Sequence, residues 1–217
     1  MKDNGVINTF SIVAYDPKNE EWGVGVASKF LAVGSMVPWA RAGVGAVATQ
    51  AWGNPNYGPE GLKLLAEGEV PEQVIKILTD ADSGREYRQL AVIDKNGSTS
   101  VHTGEQCSQY AGSIEGDNYA VQGNLLVSRK TIEDTAESFE NTFGRLADRI
   151  IVSLEAGQKA GGDKRGRQAA ALFVAKKGCG INNLDDRYID LRVDDHKTPI
   201  QELKRLLSLF YEQRNDC

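Results

Sequence analysis

Apolar residues change their spacing in blocks along this chain, and this block pattern limits the fold more than any other feature. Residues 7–14 and 22–27 are rich in strand-forming residues that alternate in part, and Asp16-Pro17-Lys18-Asn19 between them is typical of a turn. These two segments therefore predict a hairpin. Two further pairs have the same form, namely residues 36–40 with 44–49 and residues 88–94 with 98–103, the second joined through the tight-turn signal Asn96-Gly97.

Helical spacing takes over between and after these hairpins. It predicts two short helices, a longer helical block with a break near 141–144, and a closing amphipathic helix, at residues 60–67, 72–81, 127–160 and 199–212. Further strands are predicted at residues 119–122, 170–175 and 188–193. Because strand pairs and helices come in blocks and do not alternate strictly, we expect an α+β fold. In this fold two mainly antiparallel sheets lie between helical layers, as a four-layer αββα sandwich.

Length and composition narrow the class of protein. At 217 residues the chain can bury a substantial core, and we expect one domain over residues 1–217. The 30 acidic and 25 basic residues give a net charge of −5 without a dense basic run, which argues against a nucleic-acid partner. No apolar run approaches the length of a membrane span, and the first residues lack the apolar stretch of a signal peptide. We therefore expect a cytoplasmic protein without a membrane partner.

The cysteines are odd in number and widely spaced. They are Cys107, Cys179 and Cys217, and no pair has the spacing of a zinc site. This pattern predicts reduced thiols and no disulfide framework.

The charged strand that ends at His196 is the most unusual segment, because so much charge on a half-buried strand is costly. In one interpretation Asp194 and His196, which share a face by strand alternation, ligate a metal. In a second, Arg192 bridges Asp163 or Asp190 through a bidentate contact. In a third, Asp195 and His196 lie at the start of the closing helix, where Asp195 stabilises the helix dipole and His196 has no role. We favour the ion-pair network and predict no metal and no other cofactor.

One loop has the composition of a ligand contact. Residues 52–59 are rich in Gly, Pro and Asn and leave a predicted strand. Trp52 is the best candidate contact in it, with Asn54 in the same loop, although tryptophans more often anchor a core or an interface.

Several short motifs occur in a fixed order along about residues 9–207. They are Thr9-Phe10-Ser11-Ile12-Val13-Ala14, Gly23-Val24-Gly25-Val26-Ala27-Ser28-Lys29, Ala48-Thr49-Gln50, Asn54-Pro55, Gln122-Gly123-Asn124, Ala160-Gly161-Gly162-Asp163 and Arg165-Gly166. Together they resemble the DUF1028 family, a family without an established activity that is assigned to the N-terminal-nucleophile hydrolase fold. The resemblance implies an αββα sandwich like that of proteasome subunits, with a Thr, Ser or Cys at the head of the first strand.

The resemblance implies a catalytic role for Thr9. A threonine hydroxyl is a weak nucleophile until a base takes its proton, and the residue's own α-amine, with an ordinary pKa of about 8, suits that task. In this chain Asn8 precedes Thr9, so the nitrogen of Thr9 belongs to an amide. Either the Asn8–Thr9 bond is cleaved autocatalytically in the active form, or the protein does not use this mechanism. A β-branched residue also favours a strand without any catalytic role.

Other site positions follow from the same resemblance. Asp163 would support the nucleophile, and Lys29 is the nearest basic candidate for the lysine of proteasome-like sites. Asp163 could instead be a turn acid paired with Arg165. The candidate substrate contacts are Gln50 at a strand end, the loop residues, the turn residue Asn124 and the charged strand: Gln50, Trp52, Asn54, Asn124, Arg165, Arg192, Asp194 and His196.

Three classes of function remain open from the sequence. The first is an amide-bond hydrolase of the N-terminal-nucleophile type that acts on a small-molecule or peptide-like substrate. The second is a non-catalytic ligand-binding protein on the same fold, related to cell-wall peptides. The third is a structural oligomer, because the fold that the resemblance implies commonly assembles through its helices. We expect a homo-oligomer.

Overall fold

The computed structural model describes residues 6–214. The strands of this part are β1 Thr9–Asp16, β2 Glu21–Ser28, β3 Pro38–Arg41, β4 Gly45–Ala51, β5 Arg88–Asp94, β6 Thr99–Thr103, β7 Gly112–Gly116, β8 Tyr119–Gly123, β9 Ala169–Lys176 and β10 Arg187–Val193. The α-helices are α1 Tyr57–Glu67, α2 Pro71–Asp80, α3 Lys130–Asn141, α4 Leu146–Lys159 and α5 Pro199–Gln213.

The strands form two antiparallel sheets. The larger has the order β10-β9-β2-β1-β8-β7 and the smaller the order β3-β4-β5-β6. Helices α3, α4 and α5 pack on the outer face of the larger sheet, α1 and α2 pack on the smaller one, and the two sheets contact each other through β1 with β4 and β5 with β8. The predicted α+β sandwich with layers αββα is confirmed.

Strand alternation assigns each side chain to a layer. In β1, Phe10 and Ile12 are buried under the helices, whereas Val13 joins the apolar cluster between the two sheets. In β4, Val47 packs in the cluster with α1 and α2, and its neighbour Ala48 faces the other sheet. The same alternation therefore produces three apolar layers from short strands.

Glycines in β2 let one helix approach the larger sheet closely. A Cβ atom on Gly23 would lie 2.6 Å from Ile150, and one on Gly25 would lie 2.3 Å from the same side chain. Both distances are shorter than real Cβ contacts, so α4 can pack at this depth only over glycine. The close packing of α4 therefore explains why glycine occupies alternate positions in β2.

One strand is not predicted by the spacing of residues. Strand β7, Gly112–Gly116, begins and ends with glycine and has a single apolar residue, Ile114, so its strand signal is weak. It forms because the neighbouring β8 supplies a pairing edge, with Ile114 opposite Val121. The predicted break in the long helical block is confirmed, since α3 ends at Asn141 and α4 begins at Leu146.

The cysteine expectation is wrong in part. Cys107 is a free thiol, and burial raises its pKa to about 11. Cys179 is disulfide-bonded, which sequence spacing could not show because a disulfide depends on which side chains meet in space. Cys217 lies outside the described residues. Within residues 6–214, no helix is long and apolar enough to cross a membrane.

Candidate active site

The site residues lie at one end of the two sheets. Because neighbouring strands are antiparallel, the start of β1 at Thr9 lies beside the end of β2 at Ser28 and the end of β8 at Gly123. The end of β4 at Ala51 faces this edge from the smaller sheet, where it forms an isolated bridge with Ile7. The loops that follow β2, β4 and β8 therefore meet around Thr9.

Thr9 is fully buried at this end. Its hydroxyl donates to the carbonyl oxygen of Ala27 at 2.5 Å, and its own carbonyl oxygen accepts from the backbone N–H of Asn124 at 2.9 Å. The Thr9 hydroxyl therefore bonds the main chain of β2 and donates to no side chain among residues 6–214.

The carbonyl group before Thr9 is held by two side chains. The oxygen of Asn8 accepts from the Ser28 hydroxyl at 2.6 Å and from Arg165 Nη2 at 2.8 Å. Two donors use both lone pairs of this oxygen, and one donor is a cation, so the arrangement draws electron density from the carbonyl carbon. This carbonyl belongs to the Asn8–Thr9 peptide bond.

Asp163 holds the arginine in place. The carboxylate is 2% exposed and accepts from Arg165 Nε at 3.1 Å and from Arg165 Nη2 at 2.8 Å, while the backbone N–H groups of Arg165 and Lys29 donate at 2.8 and 2.9 Å. The chain reaches this geometry through Gly161 and Gly162, both with positive φ. Asp163 thus fixes Arg165 and does not contact Thr9 through any hydrogen bond of the described residues.

A network of buried amides lies behind Thr9, between the sheets. The Ser11 hydroxyl donates to Gln50 Oε1 at 2.7 Å, Gln50 Nε2 donates to Gln89 Oε1 at 2.7 Å, and Asn124 Nδ2 donates to the same oxygen at 2.9 Å. Gln122 Nε2 extends the network to the carbonyl oxygen of Ala48 at 2.9 Å. The side-chain oxygens of Gln122 and Asn124 have no hydrogen-bond partner among residues 6–214.

Gln50 and Asn124 of this network were predicted from the sequence as site residues, whereas Ser11 and Gln89 were not. All four are fully buried. The signal that could have found them is polarity at positions that alternation assigns to the inter-sheet face. Such positions are costly unless their hydrogen bonds are satisfied, so a run of them at one sheet end marks a specialised region.

The segment before Thr9 covers the site. Ile7 donates its N–H to the carbonyl oxygen of Ala51 at 2.6 Å, and Ala51 donates back at 3.0 Å. Ile7 is buried in the cluster between the sheets, and Asn8 is buried beside it with its side-chain oxygen lacking a partner among the described residues. Residues 7 and 8 thus close the sheet end over Thr9.

The loop after β4 forms the rim of this end. Trp52 is 52% exposed and its ring lies 5.4 Å from that of Tyr87. Asn54 points into the loop, where its Nδ2 donates to Asp82 at 3.3 Å. Burial acts to raise the pKa of Asp82, but hydrogen bonds from Arg88, from the Gly84 N–H and from the Tyr57 hydroxyl hold that pKa well below its usual range. Trp52 is therefore exposed at the rim of this end, whereas Asn54 shapes the loop.

The structure does not bring the ammonium group of Lys29 to Thr9. The Lys29 side chain is exposed and its Nζ lies 3.5 Å from the carbonyl oxygen of Arg167. Lys29 belongs to the site through its backbone N–H alone.

The charged strand lies away from Thr9, and the bidentate bridge expected of Arg192 does not form. Arg192 is 45% exposed and its Nε lies 3.7 Å from Asp190, whereas Asp163 is paired with Arg165. Sheet order separates this strand from Thr9, since β9 and β2 lie between β10 and β1, a distance of about 14 Å at the usual strand spacing. Asp190 lies on the same strand as Arg192 and makes its shorter ion pair with Arg187, at 2.8 Å. Asp194 and His196 are exposed, and His196 Nδ1 accepts from the Thr198 N–H at 3.1 Å just before α5. Within the described residues no group of three or more His, Cys, Asp or Glu could hold a metal ion.

Comparison with known proteins gives a family and a fold. One similar solved structure is the crystal structure of a protein from Silicibacter pomeroyi that is described by the DUF1028 family model. It is 29% identical in sequence and superposes with a TM-score of 0.86, over 96% of this chain and 91% of that one. No curated protein matches the chain. The family model described as a family of unknown function (DUF1028) matches residues 9–203, beginning at the buried threonine of the site. The chain therefore belongs to the DUF1028 family.

Proposed function

We propose that this protein is the precursor of an amide-bond hydrolase whose nucleophile is Thr9. In this proposal the chain cleaves its own Asn8–Thr9 bond and so converts the amide nitrogen of Thr9 into an amine. The observation that carries the proposal is the Asn8 carbonyl, which Ser28 and Arg165 hold at 2.6 and 2.8 Å beside the buried Thr9 hydroxyl. A buried carbonyl needs one hydrogen bond to be satisfied, whereas two donors with one cation suit an oxygen that becomes negative.

The cleavage is an acyl shift followed by hydrolysis. The Thr9 oxygen attacks the Asn8 carbonyl carbon, and the developing oxyanion is stabilised by Ser28 and Arg165. The C–N bond then breaks, the hydroxyl proton ends on the Thr9 nitrogen, and an ester joins Asn8 to the Thr9 oxygen. Water hydrolyses the ester, which releases residues 1–8 with a carboxylate on Asn8 and leaves Thr9 with a free amine.

The same groups would then act on a substrate. The free amine of Thr9, with an ordinary pKa of about 8, accepts the hydroxyl proton near neutral pH. The guanidinium of Arg165 disfavours protonation of a nearby amine, which keeps the base available. A substrate carbonyl takes the place of the Asn8 carbonyl between Ser28 and Arg165.

Measurement of the intact mass over time tests the proposal. A protein purified with a tag at its C-terminus is expected to lose residues 1–8, and sequencing of the new N-terminus is expected to begin Thr9-Phe10-Ser11. Thr9→Ser keeps a hydroxyl and is expected to be processed. Thr9→Val keeps the shape, lacks the hydroxyl and is expected to stay full length.

Asparagine can also break its own following peptide bond through its side-chain amide, so Asn8→Leu is the matched control. Cleavage that depends on Thr9 persists in Asn8→Leu and stops in Thr9→Val, whereas asparagine chemistry shows the reverse pattern. A wild-type chain that stays full length, or a Thr9→Val chain that is cleaved, refutes the proposal. The non-catalytic binding protein is the alternative, and the exposed Trp52 beside Tyr87 is the feature that favours it. Assembly into a homo-oligomer stays a prediction that light scattering tests.

A further inference from the structure

Residues 7 and 8 lie at the end of β4 in the way that an extended peptide binds to the edge of a strand. Ile7 and Ala51 exchange both main-chain hydrogen bonds, at 2.6 and 3.0 Å, as an antiparallel bridge. One residue later the Asn8 carbonyl lies between Ser28 and Arg165. Main-chain bonds of this kind recognise any extended chain, and side-chain pockets add the selectivity.

The pocket for the residue at position 7 is apolar and shaped by a glycine. Ile7 is 2% exposed and packs in the cluster between the two sheets. A Cβ atom on Gly53 would lie 2.9 Å from Ile7 Cδ1, too close for a real contact. The absence of a side chain at Gly53 therefore makes room for the terminal methyl of an isoleucine.

The pocket for the residue at position 8 excludes charge. Asn8 is 3% exposed, and its side-chain oxygen has no hydrogen-bond partner among residues 6–214. A wall without a donor toward this oxygen accepts an apolar side chain of the same shape. A carboxylate at position 8 would place one charged oxygen in this buried position without a hydrogen-bond donor, which is unfavourable.

We infer that residues 7 and 8 are a built-in copy of the substrate. Once they are released, the space along Ala51 and Gly53 receives an extended peptide with a β-branched aliphatic residue, followed by an uncharged residue the size of asparagine at the cut. The inference rests on the proposed function, because it needs the Asn8–Thr9 bond to be cleaved. The cleaved peptide carries a C-terminal carboxylate that fits between Arg165 and Ser28. A peptide of this kind that binds again therefore also acts as a product inhibitor.

Cleavage within the full chain tests the two pockets. Ile7→Asp and Asn8→Asp are each expected to slow processing at least about tenfold, because each buries an unpaired charge. Ile7→Val and Asn8→Leu are expected to stay within several-fold of the wild type, and each to be processed faster than the matching aspartate variant, because neither change buries a charge. Gly53→Ala is expected to slow processing through the contact with Ile7 Cδ1, and the double variant with Ile7→Val, which lacks that atom, is expected to recover the rate.

The processed protein then tests the substrate class in trans. Acetyl-Val-Ile-Asn-aminocoumarin is expected to be cleaved with a kcat/KM at least about tenfold above that of acetyl-Val-Asp-Asn or acetyl-Val-Ile-Asp analogues. Acetyl-Val-Ile-Asn with a free carboxylate is expected to inhibit competitively, and its C-terminal amide is expected to inhibit less. A chain that never processes refutes the proposed function and this inference with it. A chain that processes, but at a rate insensitive to positions 7, 8 and 53, or with no preference among the peptides, refutes the substrate class alone.

Discussion

Two arginines at the same end of the larger sheet should respond very differently to removal. Arg165 is paired with the buried carboxylate of Asp163 and its side chain is 26% exposed, whereas Arg192 is 45% exposed and lies 3.7 Å from Asp190. Asp190 also has a second partner, Arg187, at 2.8 Å. The sequence alone made Arg192 the structural cation, and the structure transfers that role to Arg165.

The expected loss of stability depends on the hydrogen bonds that each carboxylate retains in the variant. Arg165→Ala takes from Asp163 two side-chain hydrogen bonds and leaves two from backbone N–H groups. Breaking a buried pair costs about 3–5 kcal/mol, and the lower end applies here because solvent reaches the guanidinium and two donors remain. About 3 kcal/mol corresponds to a fall in Tm of about 6–12 °C for a chain of this size. Arg192→Ala removes an exposed contact and is expected to change stability by less than about 0.5 kcal/mol.

The two variants also separate stability from catalysis. Loss of one oxyanion donor slows acyl transfer by about 100-fold to 1,000-fold, so Arg165→Ala is expected to slow the cleavage of the Asn8–Thr9 bond by that factor. Arg192→Ala is expected to be processed at the wild-type rate. Thermal unfolding by circular dichroism and time-resolved intact mass measure both quantities on the same samples. Equal destabilisation of the two variants would refute the assignment of the buried pair, and wild-type cleavage in folded Arg165→Ala would refute the role of the guanidinium.

Three further predictions use the same structure. Ser28→Ala removes the second donor to the Asn8 carbonyl and is expected to slow processing by about 10-fold to 100-fold while Tm falls by only a few degrees, because a neutral hydrogen bond contributes about 1 kcal/mol; unchanged processing would contradict it. Gly25→Ala places a methyl 2.3 Å from Ile150 and is expected to lower the free energy of unfolding, measured with denaturant, by about 1–3 kcal/mol. Gly112→Ala is the control, because its new methyl would make only an ordinary contact at 3.6 Å, and its free energy of unfolding is expected to stay close to that of the wild type. The pKa of Asp82 is lowered in the folded state, so its stabilising contribution is present above its ordinary pKa and is lost as the pH falls below about 4. Asp82→Asn is therefore expected to lose less stability than the wild type between pH 5 and pH 3, and parallel losses in urea unfolding at the two pH values would count against this.

The spacing of residues determined the local structure and the layer of each side chain. Alternation in β1 separates Phe10 and Ile12 from Val13, because the direction of a side chain in a strand depends only on its neighbours along the chain. The tertiary structure gave the reason for the glycines of β2, since α4 packs closely on Gly23 and Gly25. The edge strand β7 escaped prediction since its pairing partner, and not its own composition, stabilises it.

The ordered motifs predicted Thr9, Asp163 and Arg165 as candidate site residues, but only the tertiary structure decided what these residues contact. The Asn8 carbonyl contacts Arg165, which lies 157 residues later in the chain, and Gln50 of β4 contacts Gln89 of the neighbouring strand β5. Such contacts depend on sheet order and on the stacking of two sheets, which arise from long-range pairing. The charged strand shows the same limit. Asp190 pairs with Arg187 and Arg192 on its own strand, but strand order placed β10 beyond β9 and β2, away from Thr9.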